Sequence, residues 1–126
     1  YVFCGEHLLL AKLRPANTEG AAGTCEEVER IVGQLRERWP RTRIILRADS
    51  GFCREALMGW CEERRVDYVF GLARNVRLVR AIGAQLRAVE AEAAQTGQPA
   101  RRFRELVYRT NDSWRRARRV VAKAEH

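Results

Sequence analysis

The chain has 126 residues, 46% hydrophobic and 32% charged, a composition that excludes a disordered chain and allows one globular domain or part of one. No apolar run approaches the roughly 20 residues of a membrane span and no signal-peptide pattern opens the chain, so a cytoplasmic protein is expected. The formal net charge of +8 suits a polyanionic partner.

The first residues, Tyr-Val-Phe-Cys without an initiator Met, already read as a strand, and Ala-Glu-His ends the chain inside another element. A piece of a longer protein is therefore expected. Two short strands flank a Gly5-Glu6 turn, the second over residues 7–13. Pro15 and the following Ala-Asn-Thr-Glu-Gly stretch form a loop. Thr24 and Glu27 have capping-box spacing, and Val28, Ile31, Val32, Leu35 and Trp39 then recur at helical spacing, so a helix is predicted over residues 24–39, stopped by Pro40.

Ile44, Ile45 and Leu46 are consecutive, without alternation, as in a strand of a parallel sheet buried on both faces. Residues 53–64 are predicted helical, with Leu57, Trp60 and Cys61 on one face, and residues 67–73 form a second apolar strand. Strand, about twelve helical residues and strand make a right-handed crossover unit. Leu78, Val79, Ile82, Leu86, Val89 and Ala93 mark a third helix, ending before Gly97 and Pro99. The remainder reads as a hairpin around Asn111-Asp112-Ser113, with a helix from Trp114 onward as the alternative. The predicted order is ββ-α-β-α-β-α-ββ, a mixed α/β fold.

Four cysteines (Cys4, Cys25, Cys53, Cys61) lie far apart with no C-x-x-C pair, and His7 and His126 stand at opposite ends. Nothing has the spacing of a zinc cage, and buried free thiols are the expectation. Trp39 and Trp60 are predicted as core. Residues 101–126 hold nine Arg and Lys against three acidic side chains, so most of the net charge sits in this segment. It interleaves arginine with Tyr108 and Trp114, an arrangement suited to phosphate contact and base stacking. A solvated hairpin face is the competing reading.

Asp49 follows the central strand and precedes Ser50-Gly51-Phe52, at the carboxyl edge where open α/β sheets bind ligands. Three roles compete. It can cap the next helix, stabilising it by about 1 kcal/mol. It can hold a hard cation such as Mg²⁺, or serve as a phosphoacceptor or small-ligand contact in a flavodoxin-like domain. Arg47 and Arg54 flank it, as solvated arginines or as DNA contacts.

The stretch Leu-Arg-Ala-Asp-Ser-Gly-Phe, together with Gly-Leu-Ala-Arg-Asn at residues 71–75, resembles the core of bacterial insertion-sequence DDE transposases. The likeness extends over at least residues 1–80 and is less specific in the tail. It implies a ribonuclease-H-like mixed sheet, partial here because the first strand is missing. The division it suggests is a core over residues 1–97 and a basic hairpin over residues 98–126 that begins an inserted region. In such enzymes three carboxylates hold two Mg²⁺ (or Mn²⁺) ions; one activates a water or a 3′-hydroxyl and the other stabilises the departing oxygen.

By this resemblance Asp49 matches the second carboxylate, Ser50, Gly51 and Phe52 its surrounding turn, and Arg74 and Asn75 a second motif that contacts DNA from the same sheet edge. The first Asp and the third Glu fall outside residues 1–126; Glu125 lacks the helical spacing of the family's third carboxylate, and Glu6, in a hairpin turn, reads as a solvated surface residue. The chain is thus expected to be inactive alone. Its predicted DNA-binding residues are Arg74, Asn75, Arg101, Arg102, Arg104, Arg109, Arg115, Arg116, Arg118 and Arg119. The implied partners are transposon-end and target DNA, with no membrane and no small-molecule cofactor. A sheet lacking its central strand predicts re-paired strands, elements exchanged in a homodimer, or cover from other chains. The alternative is a non-catalytic DNA-binding or interaction module in which Asp49 only caps a helix.

Overall fold

A computed structural model describes residues 1–126, and it divides the chain into two compact units, Tyr1–Leu72 and Ala73–His126. The first holds strands β1 (Val2–Cys4) and β2 (His7–Leu10), helix α1 (Thr24–Arg38), strand β3 (Ile45–Ala48), a 3₁₀ turn (Ser50–Phe52), helix α2 (Glu55–Glu63) and strand β4 (Asp67–Phe70). The second holds α3 (Val76–Ala81), α4 (Gly83–Thr96), β5 (Arg101–Tyr108) and β6 (Arg118–Glu125). The α/β composition and the strand and helix order follow the sequence pattern. The strands do not join one mixed sheet, however: they form three two-stranded sheets, β1–β2, β3–β4 and β5–β6. No strand of the chain pairs the second edge of β3, so the parallel pair stands by itself.

In the first unit β3 and β4 run parallel in the register Ile45↔Asp67 to Ala48↔Phe70. Val28 and Val32 of α1, Leu57 and Cys61 of α2, and Val66 form the buried cluster, onto which Ile44, Leu46, Phe52, Tyr68 and Phe70 pack. Full burial of Val28, Val32, Leu57 and Val66 contributes about 1.5–3 kcal/mol each by removing them from water. Burial of the Cys61 thiol pushes its pKa up to about 12, so it acts as a small core hydrophobe and not as a nucleophile.

Burial on both faces of β3 is corrected by the structure. One helical layer covers the pair; on the other face Ile45 and Val69 stay 51% and 61% exposed, with exposed Arg47 in register beside Val69. Helix α1 also starts differently from its capping-box prediction. Gly23 takes the cap position in the left-handed conformation and no side chain bonds the cap. Glu27 is drawn off by Lys12 Nζ at 2.9 Å and Arg30 at 3.2 Å. A loop lysine thus outcompetes the local motif. Trp39 is not core: it follows the last turn, donates its backbone N–H to Leu35 O at 2.7 Å, and is 56% exposed. Trp60 is half-buried, with its indole N–H enclosed and unbonded.

In the second unit the predicted single helix breaks at Ile82, which caps both α3 and α4. Val89 of α4 packs with Ala100 and Ala124 under the β5–β6 hairpin. The two strands pair antiparallel from Arg101↔Glu125 to Tyr108↔Arg118, and reciprocal Ala100–His126 backbone bonds at 3.0 and 3.1 Å close the open end. The predicted hairpin forms, and its second strand begins at Arg118. Trp114 lies in the connection and is buried. No helix is long and apolar enough to cross a membrane.

Candidate functional site

Asp49 is the first residue beyond β3, extended at φ −76° and ψ −175°, and its side chain is exposed. Asp49 Oδ1 accepts the Gly51 N–H at 2.8 Å, the geometry of an acidic cap on a 3₁₀ turn. Phe52 and Cys53 N–H groups close the turn onto Asp49 O and Ser50 O at 3.2 and 3.3 Å. The Phe52 ring packs on the core cluster and so fixes the turn to the scaffold. Gly71 N–H donates to Ala48 O at 3.0 Å, extending the β3–β4 ladder to the edge of the same turn. Arg54 is engaged elsewhere, with Gly51 O at 3.1 Å and Glu19 at 2.7 Å.

The cap uses one carboxylate oxygen, and nothing bonds the other. A cation nonetheless needs several ligands. No group of three or more His, Cys, Asp or Glu in the chain can hold a metal ion. The residues present therefore do not fit a metal site by themselves.

Asn75 and Arg74 lie in the second unit. Asn75 caps α3: its Oδ1 accepts Leu78 N–H at 3.0 Å, and its Nδ2 donates to Tyr108 Oη at 3.2 Å. Both ends of the amide are thus spent on structure. Replacing it by alanine is expected to cost about 1–2 kcal/mol, a lost cap and a lost part-buried hydrogen bond together, read as a lower urea midpoint for residues 73–126. Arg74 is exposed and has no partner in the structure.

Most of the hairpin arginines are also committed. Arg101 and Lys123 both reach Glu125, at 2.8 and 2.9 Å, and Arg102 reaches Glu92 at 2.8 Å. Arg119 grips Glu105 with two bonds of 2.7 and 2.8 Å, a fork that holds the Glu105 carboxyl below its ordinary pKa. Lys123 and then Arg101 lower Glu125 in the same way, which leaves that residue a surface ion-pair partner. Arg104 bonds Ala81 O.

Arg118 is buried at 8% exposure, over the Trp114 ring at 5.5 Å, while Arg115 and Arg116 also have partners. Arg109 has none. The basic segment is therefore far less free than its charge suggests. Tyr108 and Trp114, read above as base-stacking rings, are buried at 9% and 6% exposure in an edge-to-face pair. They are core.

A model of the family described as transposase DDE domain group 1 matches residues 1–126. No curated protein and no solved structure matches the chain.

Proposed function

The chain belongs to the transposase DDE domain group 1 family, and from that premise we propose that it is part of a DNA transposase that hydrolyses phosphodiester bonds at insertion-sequence ends and transfers the strands to target DNA. The observation that carries this reading is the placement of Asp49 at the carboxyl end of the parallel pair, exposed, with one carboxylate oxygen unbonded. That edge is where α/β sheets present ligand-binding side chains.

In this reading Asp49 supplies one carboxylate of a divalent-cation site, for Mg²⁺ or Mn²⁺, which exists only when further carboxylates join it. The Gly51 N–H orients that carboxylate and the partly buried Phe52 ring, packed on the core cluster, holds the turn that carries it. Arg74 and Arg109, the arginines of the predicted set that are free of partners, take the first phosphate contacts. The ion-paired arginines Arg101, Arg102 and Arg119 join only where DNA displaces Glu125, Glu92 and Glu105; surface pairs of this kind are worth about 0–1 kcal/mol.

The ribonuclease-H-like strand order, a core of residues 1–97 followed by a hairpin segment of residues 98–126, a homodimer and a prokaryotic cytoplasmic setting belong to the same proposal. A second reading, a DNA-binding module whose Asp49 is only a cap, is supported by the Oδ1–Gly51 bond. The test uses the full-length protein and a labelled duplex spanning the border of the DNA element that encodes it. Cleavage at the border in Mg²⁺, abolished by a chelator, is expected. Cleavage that persists in chelator, or none in Mg²⁺, would contradict the proposal.

A further inference from the structure

Gly71 lies one residue beyond β4 and beside the Asp49 turn. Its φ is not in the left-handed region, unlike that of Gly5, Gly23 and Gly97, so backbone conformation does not require glycine there. Space does. A Cβ on Gly71 would stand 2.9 Å from the backbone N of Ser50, 3.2 Å from the carbonyl carbon of Asp49 and 3.5 Å from its Cα. All three are main-chain atoms, and no flexible side chain can swing aside to relieve the contact. The turn cannot retreat freely either, because Phe52 is packed on the core and the Gly71–Ala48 bond holds the two strand ends together. A Cβ on Gly51 would in turn stand 3.0 Å from Asp49 Oδ1. Two residues without side chains thus bracket Asp49, one against its backbone and one against its carboxylate.

We propose that Gly71 is a positioning residue for Asp49: by lacking a Cβ it lets the end of β4 close against the Asp49–Ser50 backbone and so fixes where the carboxylate stands. This rests on the reading of Asp49 as catalytic. An added methyl displaces the Asp49–Ser50 peptide, and with it the Oδ1–Gly51 bond. A misplacement on the scale of 1 Å lowers turnover by about 100-fold without touching the groups that hold DNA.

The experiment compares full-length wild type, Gly71→Ala, Asp49→Asn, Val66→Ala and Gly33→Ala on the same labelled border duplex in Mg²⁺. Cleavage is read as kcat and KM, and hydrogen exchange by mass spectrometry is read over residues 49–53 and over α1. Gly33→Ala adds a methyl where nothing lies within 4 Å, and Val66→Ala removes core packing at a 3% exposed position outside the turn. Both should keep wild-type kcat below their unfolding temperatures.

Gly71→Ala should lower kcat by about 100-fold at unchanged KM and speed exchange in residues 49–53 while α1 stays protected. Wild-type kcat in Gly71→Ala would overturn the assignment. So would a loss of kcat accompanied by faster exchange across all of residues 1–72, or matched by Val66→Ala, because Gly71 would then serve stability alone. Asp49→Asn separates the two levels of the argument. If it cleaves like wild type, the reading of Asp49 itself falls; if it is inactive while Gly71→Ala is fully active, only the role of Gly71 falls.

Discussion

Trp114→Ala is expected to destabilise residues 73–126 by about 3–5 kcal/mol, the cost of truncating a buried large aromatic side chain. Three observations set that size. The indole is 6% exposed. It meets Tyr108 edge-to-face at 5.9 Å between ring centroids, a geometry worth about 0.5–1.5 kcal/mol beyond area burial. The Arg118 guanidinium lies over its ring at 5.5 Å, so removing the ring leaves a buried charge without its cover.

The connection around Trp114 is fixed as well, through Trp114 N–H to Thr110 Oγ1 at 2.8 Å and the Thr110–Ser113 hydroxyl contact at 2.8 Å. Hydrogen exchange should quicken over β5, β6 and α4. A base-stacking Trp114 would behave otherwise, losing DNA affinity with little change in exchange. That result would return the ring to the DNA interface.

The contrast between these two roles shows how much of the molecule was legible in its residues. Local pattern located most elements: helical spacing of Val28, Ile31, Val32 and Leu35 marks α1, and the unalternating Ile44-Ile45-Leu46 run marks β3, because each pattern is set by neighbours along the chain. What depends on a distant partner was not legible. Glu27 is claimed by Lys12, fifteen residues away, so the capping box does not form. Ile45 read as buried and Val69 as part of an apolar strand, but both are exposed, because helices cover only one face of their sheet.

The tail illustrates the same limit. Its arginine count was visible, but Arg101, Arg102 and Arg119 neutralise themselves on Glu125, Glu92 and Glu105, pairings that only the strand register and the packing of α4 create. Asp49 itself was legible as a strand-end carboxylate followed by Ser-Gly-Phe. Gly71 was legible only as a letter of a motif; its closeness to Ser50 N arises from the parallel pairing of β3 with β4.

Asp49→Asn carries the largest expected effect on activity. An asparagine oxygen accepts the Gly51 N–H as well as a carboxylate does, so the cap survives and stability should change little; Asp49→Ala, which removes the acceptor, should cost about 1 kcal/mol. The charge and the second anionic oxygen are lost in both. If Asp49 belongs to the reacting site, turnover falls by about 10⁴-fold, the scale on which single members of a catalytic set act. If Asp49 only caps the turn, asparagine is a full replacement. The two roles thus predict opposite orders: stability distinguishes Asn from Ala, whereas activity distinguishes Asp from both.

The decisive measurement is therefore single-turnover cleavage of the labelled border duplex in Mg²⁺ by full-length wild type and Asp49→Asn, at matched thermal stability and DNA affinity. A loss of about 10⁴-fold in Asp49→Asn is the predicted result, and wild-type cleavage by that variant would contradict it.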